Sequence, residues 1–178
     1  MPPRPKQTRS PSSKTNGTLL RKIEIRRATT CDAPALARLC YEVQAWHAAT
    51  YPHVFVESPD LDALVGFFDA QIAQPDAHVF LAVASGSPAA YLFARFKEPS
   101  ENLFQLPRRR LLVEHVATSA AFRRQGLATA LFNQASVLAE ELDCADLYLD
   151  TWNANETAHA AFEAAGFGLE RRRYSKQA

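Results

Sequence analysis

Little in this chain of 178 residues speaks for a disulfide framework, a metal site or a membrane span. Its three cysteines, Cys31, Cys40 and Cys144, are odd in number and form no Cys-x-x-Cys pair. That pattern excludes a disulfide-stapled fold and a zinc ribbon, and it points to free thiols in a reducing, cytoplasmic setting. Acidic residues are absent from the first eighteen positions, which hold four prolines and the cations Arg4, Lys6, Arg9 and Lys14. Residues 1–18 therefore read as a disordered, basic, proline-rich arm, with a partner-binding tail as the alternative. Net charge is +1, and without those four cations the remainder carries −3. A mildly acidic body lacks the basic face that nucleic acid requires. No apolar run approaches the ~18 residues that span a bilayer, and no apolar stretch at the N-terminus begins a signal peptide. Neither nucleic acid nor membrane is expected as a partner. No internal repeat divides the chain, so 19–178 is expected to be one domain.

What the chain does have is core-forming material, 47% hydrophobic and 10% aromatic. The alternation Ile23-Glu24-Ile25 predicts a first strand. Asp32 as a cap and Pro34 in the first turn predict a helix whose stripe is Leu36, Leu39, Cys40 and Val43. A second helix is predicted from Asp60 to Ala73, with Leu61, Leu64, Val65, Phe68 and Ile72 facing inward. Strands at 78–84 and 90–96 flank the hairpin signal Ser85-Gly86-Ser87-Pro88, and 97–107 reads as a loop. A strand at 111–118 leads into a helix at 126–142. A strand at 147–151, a short helix at 156–165 and a closing strand at 168–174 follow. This order predicts an α/β fold with a mixed sheet and helices on both faces.

One stretch carries chemistry. After the strand ending in Val116-Ala117-Thr118, a short turn holds Arg123, Arg124, Gln125 and Gly126, and a long helix opens at once with Leu127, Ala128 and Thr129. The first turn of a helix exposes amide hydrogens with no intrahelical acceptor, and the helix dipole adds positive charge there. Gly126 and the small Ala128 admit an anion to the backbone, Thr129 adds a hydroxyl, and two arginines can clamp phosphate oxygens. Residue spacing allows either a phosphate cradle or a glycine that merely eases a strand-to-helix turn.

Arg123-Arg-Gln-Gly126-Leu-Ala128 resembles the [QR]-x-x-G-x-[GA] signature of the GNAT superfamily of coenzyme A-dependent N-acetyltransferases. Val113-Glu114-His115-Val116-Ala117-Thr118 is similar to that family's fourth strand. Asn155-Glu-Thr-Ala158 with Phe162-Glu-Ala-Ala-Gly166-Phe167 is similar to its last helix. The resemblance covers about 150 residues, from Ile23 to Tyr174. It implies a mixed, mostly antiparallel central sheet flanked by helices on both faces, with acetyl-CoA as cosubstrate and no metal. By position, Val116, Ala117 and Thr118 would offer backbone groups to the pantetheine arm. Arg123, Arg124, Gln125, Gly126, Leu127, Ala128 and Thr129 would surround the pyrophosphate, and Asn155 would lie near the pantetheine.

The expected acceptor is a small-molecule amine or a peptide amine, with a homodimer left open. An amine of pKa ~10.4 must lose a proton before it attacks a thioester, so a carboxylate or a water it holds is the expected base. Glu114 on the fourth strand and Asp150 on the fifth are the candidates, Glu114 first, and either can instead be structural. Strand alternation turns His115 away from Glu114. The family's usual proton-donating Tyr is replaced by Phe162, leaving water, Tyr148 or Tyr174 for the departing thiolate. Trp46, His47, Tyr51, His53, Phe55 and Glu57 line an acceptor pocket or pack into the core. The rivals are a coenzyme A-binding module without transferase activity and a protein-interaction domain built on the basic arm.

Overall fold

The computed structural model describes residues 23–99 and 103–176; the arm predicted over 1–18 lies outside them. Segments of alternating or continuous apolar character form five strands. They are β1 Ile23–Arg27, β2 Ala77–Ala84, β3 Ser87–Lys97, β4 Arg110–Thr118 and β5 Asp146–Leu149. They lie side by side in chain order, antiparallel from β1 to β4, with β5 parallel to β4. Parallel neighbours need a crossover, and helix α3, Leu127–Glu141, supplies it. Helices α1, Ala33–Thr50, and α2, Leu61–Ile72, lie between β1 and β2, and α4, Glu156–Ala164, follows β5.

Period two divides the sheet into two buried faces. Phe80, Ala82, Leu92, Ala94, Leu111 and Val113 meet α3 through Leu127, Leu131, Phe132, Ala135 and Leu138. Alanine at 82, 84, 90 and 94 keeps that face shallow, so the leucines and Phe132 of α3 fill the space above it. On the other face Val79, Leu81, Tyr91, Phe93 and Ala117 meet Leu36, Ala37 and Phe68 of α1 and α2. The expected stripe of α1 points inward, as do Leu64, Val65, Phe68 and Ile72 of α2. Leu61, at the start of α2, is instead 41% exposed.

Three local expectations are corrected. Residues 168–174 form no strand: Leu169 and Tyr174 are exposed, and Arg171 to Arg173 offer no apolar face to bury. The fifth strand spans Asp146–Leu149, so Asp150 lies one residue beyond it. Asp32 precedes α1 but makes no bond to its first turn. Its carboxylate accepts a fork from Arg26 at 2.7 and 2.8 Å, plus the Thr29 N–H at 2.8 Å and the Thr29 hydroxyl at 3.0 Å. Asp32 thus ties the end of β1 to the start of α1.

Two outcomes follow from this packing. Phe68 is fully buried, edge-on to Tyr91 at 5.3 Å, so Phe68→Ala should cost about 3–5 kcal/mol in urea unfolding. The Arg26 hydrogen bond holds the Asp32 carboxyl well below the usual carboxylate range, against the opposing effect of burial. A carboxyl with a lowered folded-state pKa stabilises above its unfolded value, and that contribution fades as pH falls. Asp32→Asn should therefore lower stability near neutrality and flatten the loss between about pH 5 and about pH 2.

Candidate active site

The centre of β4 holds one residue more than β3 can pair. Phe93 lies opposite His115 and Ala94 opposite Val113, so Glu114 is a bulge. Alternation breaks there, and the expectation that His115 points away from Glu114 is overturned: both reach the face covered by α1 and α2. Glu114 accepts from Arg95 Nε at 2.9 Å and from Lys97 Nζ at 3.3 Å, both on Oε1. Arg95 in turn donates to both oxygens of Asp76 and to Gln71 Oε1. Its hydrogen bond draws the Asp76 carboxyl below its ordinary value. His115 stacks on Phe67 at 5.9 Å and meets Phe93 edge-on at 5.7 Å. Its Nδ1 lies 3.5 Å from the hydroxyl of the buried Tyr91. Burial pushes the imidazole below its ordinary pKa, only partly opposed by Glu114, so the ring is neutral at neutral pH.

Directly beside the bulge, the sheet opens. Pairing of β4 with β5 ends at Val113 and Leu149, while β4 runs on to Thr118. Glu114 and Asp150 are the first residues past that last pair, and both stand at the apex of the opening. Glu114 is half-buried; Asp150 is exposed. The Ser119 N–H donates to the Ala89 carbonyl at 2.9 Å. By alternation Val116 and Thr118 turn their peptide groups into the opening, whereas Ala117 turns its own toward β3.

Past Thr118 the chain makes a short turn, Ala120–Phe122, and then the predicted cradle. Arg124 and Gly126 both adopt left-handed backbone, at φ 63° and 78°. A Cβ on Gly126 would meet nothing within 4 Å, so the space above it is open and the backbone conformation alone favours glycine. The first helical bond at this end runs from the Ala130 N–H to the Gly126 carbonyl at 3.0 Å. The amides of Leu127, Ala128 and Thr129 are thus without helical acceptors, next to the exposed Arg123 and Arg124. Arg123 Nε donates to the Thr118 carbonyl at 3.3 Å, and Gln125 Nε2 to the Ala121 carbonyl at 3.3 Å. These residues converge on one surface at the N-terminus of α3, where the dipole favours an anion.

The far side of the opening belongs to the β5–α4 loop. Asn155 caps α4, its side-chain oxygen accepting the Ala158 N–H at 3.1 Å, which leaves its carboxamide nitrogen for another partner. Trp152, outside the expected acceptor-side group, packs on Tyr51 at 4.5 Å and on Phe55 at 5.2 Å. His47 stacks on Phe55 at 4.8 Å, and Trp46 meets His47 at 5.2 Å. The Ala154 N–H donates to the Tyr51 hydroxyl at 3.2 Å. Of the expected acceptor-side group, Trp46, His47, Tyr51 and Phe55 thus come together, while His53 and Glu57 are exposed outside it. A lone tryptophan just past a strand end was the available signal for Trp152. Phe162 packs between Phe132 and Phe167 at 5.7 and 6.2 Å. Tyr148 lies under the Arg110 guanidinium at 3.9 Å, and Tyr174 is exposed. Among the described residues no group of three or more His, Cys, Asp or Glu side chains is arranged to hold a metal ion. None of the described helices is long and apolar enough to cross a membrane.

The profile of the acetyltransferase (GNAT) family matches residues 40–167. The chain belongs to that family. No curated protein matches it. Among solved structures, the BH1408 protein from Bacillus halodurans, as a tetramutant, superposes with a TM-score of 0.82 at 18% identity. That match covers 87% of this chain and 99% of the other. Aminoglycoside N-acetyltransferase AAC(6')-Iy, in complex with CoA, gives 0.70 at 17% identity over 88% and 95% of the two chains. Aminoglycoside 6'-N-acetyltransferase AAC(6')-Ih from Acinetobacter baumannii gives 0.66 at 21% identity over 88% and 99%. The fold is therefore the GNAT fold, a five-stranded mixed sheet with four helices.

In a GNAT fold the cradle geometry carries a direct test. Gly126→Glu adds a carboxylate over the open space at a position where left-handed backbone costs a side chain roughly 1–2 kcal/mol. The fold should survive, since nothing is displaced, and calorimetric titration with coenzyme A should show no binding. Unchanged affinity would remove the anion from this surface.

Proposed function

We propose that this protein is an acetyl-CoA-dependent N-acetyltransferase that acts on a primary amine by direct attack in a ternary complex. The observation that carries the reading is the adjacency of three parts. A strand opening offers the peptide groups of Val116 and Thr118, an anion cradle adjoins it, and a carboxylate stands at its apex. Coenzyme A pyrophosphate would lie on the amides of Arg124 to Thr129 with Arg123 and Arg124 as counter-charges, and the pantetheine arm would run through the opening beside Asn155. A neutral amine, entering from the α1 side, attacks the thioester carbonyl. Its proton passes to Glu114, directly or through water, the amide forms and the carbon–sulfur bond breaks. With phenylalanine at 162, the thiolate takes its proton from water; it is a tolerable leaving group and departs without a fixed donor.

Acceptors of the small-molecule class suit the aromatic wall of His47, Phe55 and Trp152, whose faces attract the cationic arms of a polyamine or aminosugar. The free thiols Cys31, Cys40 and Cys144 accord with a cytoplasmic setting. A second reading, coenzyme A binding without transfer, draws on Phe162 and on the two cations that already occupy Glu114. Thiol release from acetyl-CoA against polyamines, aminoglycosides, amino acids and peptide N-termini separates the two.

If Glu114 takes the proton, Glu114→Gln should keep coenzyme A affinity and lower kcat by ~10²–10⁴-fold. The deficit should shrink toward pH ~10, where the amine is already neutral in solution. Asp150→Asn is the paired control, expected to retain most activity. An active Glu114→Gln enzyme beside an inactive, folded Asp150→Asn enzyme would move the base to Asp150.

A further inference from the structure

Helix α1 reaches the turn that leads into the cradle through the side chain of Glu42. Glu42 lies midway along the helix, and its carboxylate takes both of its bonds from the corner between β4 and the turn Ala120–Phe122. Ser119 Oγ donates to Oε1 at 3.0 Å, and the Ala120 N–H donates to Oε2 at 3.1 Å. Further hydrogen bonds of this corner among the described residues run from Ser119 N–H to Ala89, Phe122 N–H to Ser119, Arg123 to Thr118 and Gln125 to Ala121. We propose that Glu42 is a positioning residue for the coenzyme, fixing from α1 the corner that carries the pyrophosphate-binding amides. This inference rests on the pyrophosphate reading of the cradle given above.

The two consequences of a carboxylate here have opposite signs. As a charge, Glu42 repels an anion arriving at Arg124–Thr129. As a clamp, it holds in advance a loop whose ordering would otherwise oppose binding. The corner is exposed, so water and salt screen the repulsion, while the two bonds persist. The clamp therefore dominates, and removing the charge weakens anion binding instead of strengthening it. Glutamine at this position offers one carbonyl oxygen and can satisfy one of the two donors.

The experiment uses the full chain, with coenzyme A in calorimetry and two donors, acetyl-CoA and S-acetylpantetheine, in steady-state assays. Glu42→Gln should weaken coenzyme A about tenfold and raise KM for acetyl-CoA by a similar factor, with kcat close to the parent value. S-acetylpantetheine carries no pyrophosphate, so its KM should not change. Ala120→Pro removes the second donor; Ser119, at φ −54° and ψ 142°, already has the conformation favoured before proline. It should weaken coenzyme A in the same direction. Tighter or unchanged binding in Glu42→Gln overturns the proposal. An equal loss with both donors also overturns it, since a general loosening of the fold does not distinguish them. If the parent protein itself fails to bind coenzyme A, the pyrophosphate reading falls first and Glu42 with it.

Discussion

Glu114 is the residue that β3 leaves unpaired, and the form of the site depends on where that surplus falls. A bulge turns two successive side chains to one face and increases the local twist of its strand. On the next strand, pairing stops immediately before it, at Val113 and Leu149. A flat, fully paired β4 would spend its peptide groups on both neighbours and offer nothing to an incoming chain. With the bulge, β4 keeps its bonds to β3, and among the described residues no strand pairs the opposite edge of Val116 and Thr118, where Arg123 Nε reaches the Thr118 carbonyl. The same insertion brings Glu114 out to the face covered by α1 and α2, where a fully alternating strand would have turned His115 alone.

A polar residue forced into a half-buried bulge needs partners, and Glu114 has them in Arg95 and Lys97. Both cations use the same oxygen, so Oε2 remains for a water or an amine. Arg95 is itself held by Asp76 and Gln71, which removes the rotamer freedom that makes most exposed ion pairs weak. Two fixed cations also repel an ammonium group. In the proposed reaction they would favour arrival of the amine in its neutral form, the form that can attack a thioester. The hydrophobic ring contacts around His115 add a neutral neighbour to this charged cluster and no further cation.

The parts of this arrangement written in local chemistry were legible in the sequence. The cradle depends on glycine, arginine and a helix start within six residues, and the inward stripe of α1 and most of that of α2 follow a 3.6-residue period. Non-local parts were not legible. Nothing near Glu114 announces a bulge, because the surplus exists only relative to β3. The tract at 168–174, expected as a closing strand, offers too little apolar surface to join the sheet. Trp152 joins Tyr51 across about a hundred residues of chain, and Asp32 exchanges a capping role for the guanidinium of Arg26.

The two sides of the opening are then linked by one helix, α1. The core anchors α1 through Leu36, Ala37 and Leu39. From that base Glu42 bonds the corner after β4, and Tyr51, at the other end, bonds the loop after β5 through Ala154. Tyr51, the residue after the helix, lies nine steps beyond Glu42, a rise of about 13 Å at 1.5 Å per residue. Past the apex, where their pairing has ended, the segments after β4 and β5 are both bonded to α1. No hydrogen bonds cross the opening among the described residues, and β4 and β5 are held besides by their shared packing against α3. A wedge held apart in this way can admit an extended ligand without first breaking a strand pair, so binding energy is not consumed in opening the sheet.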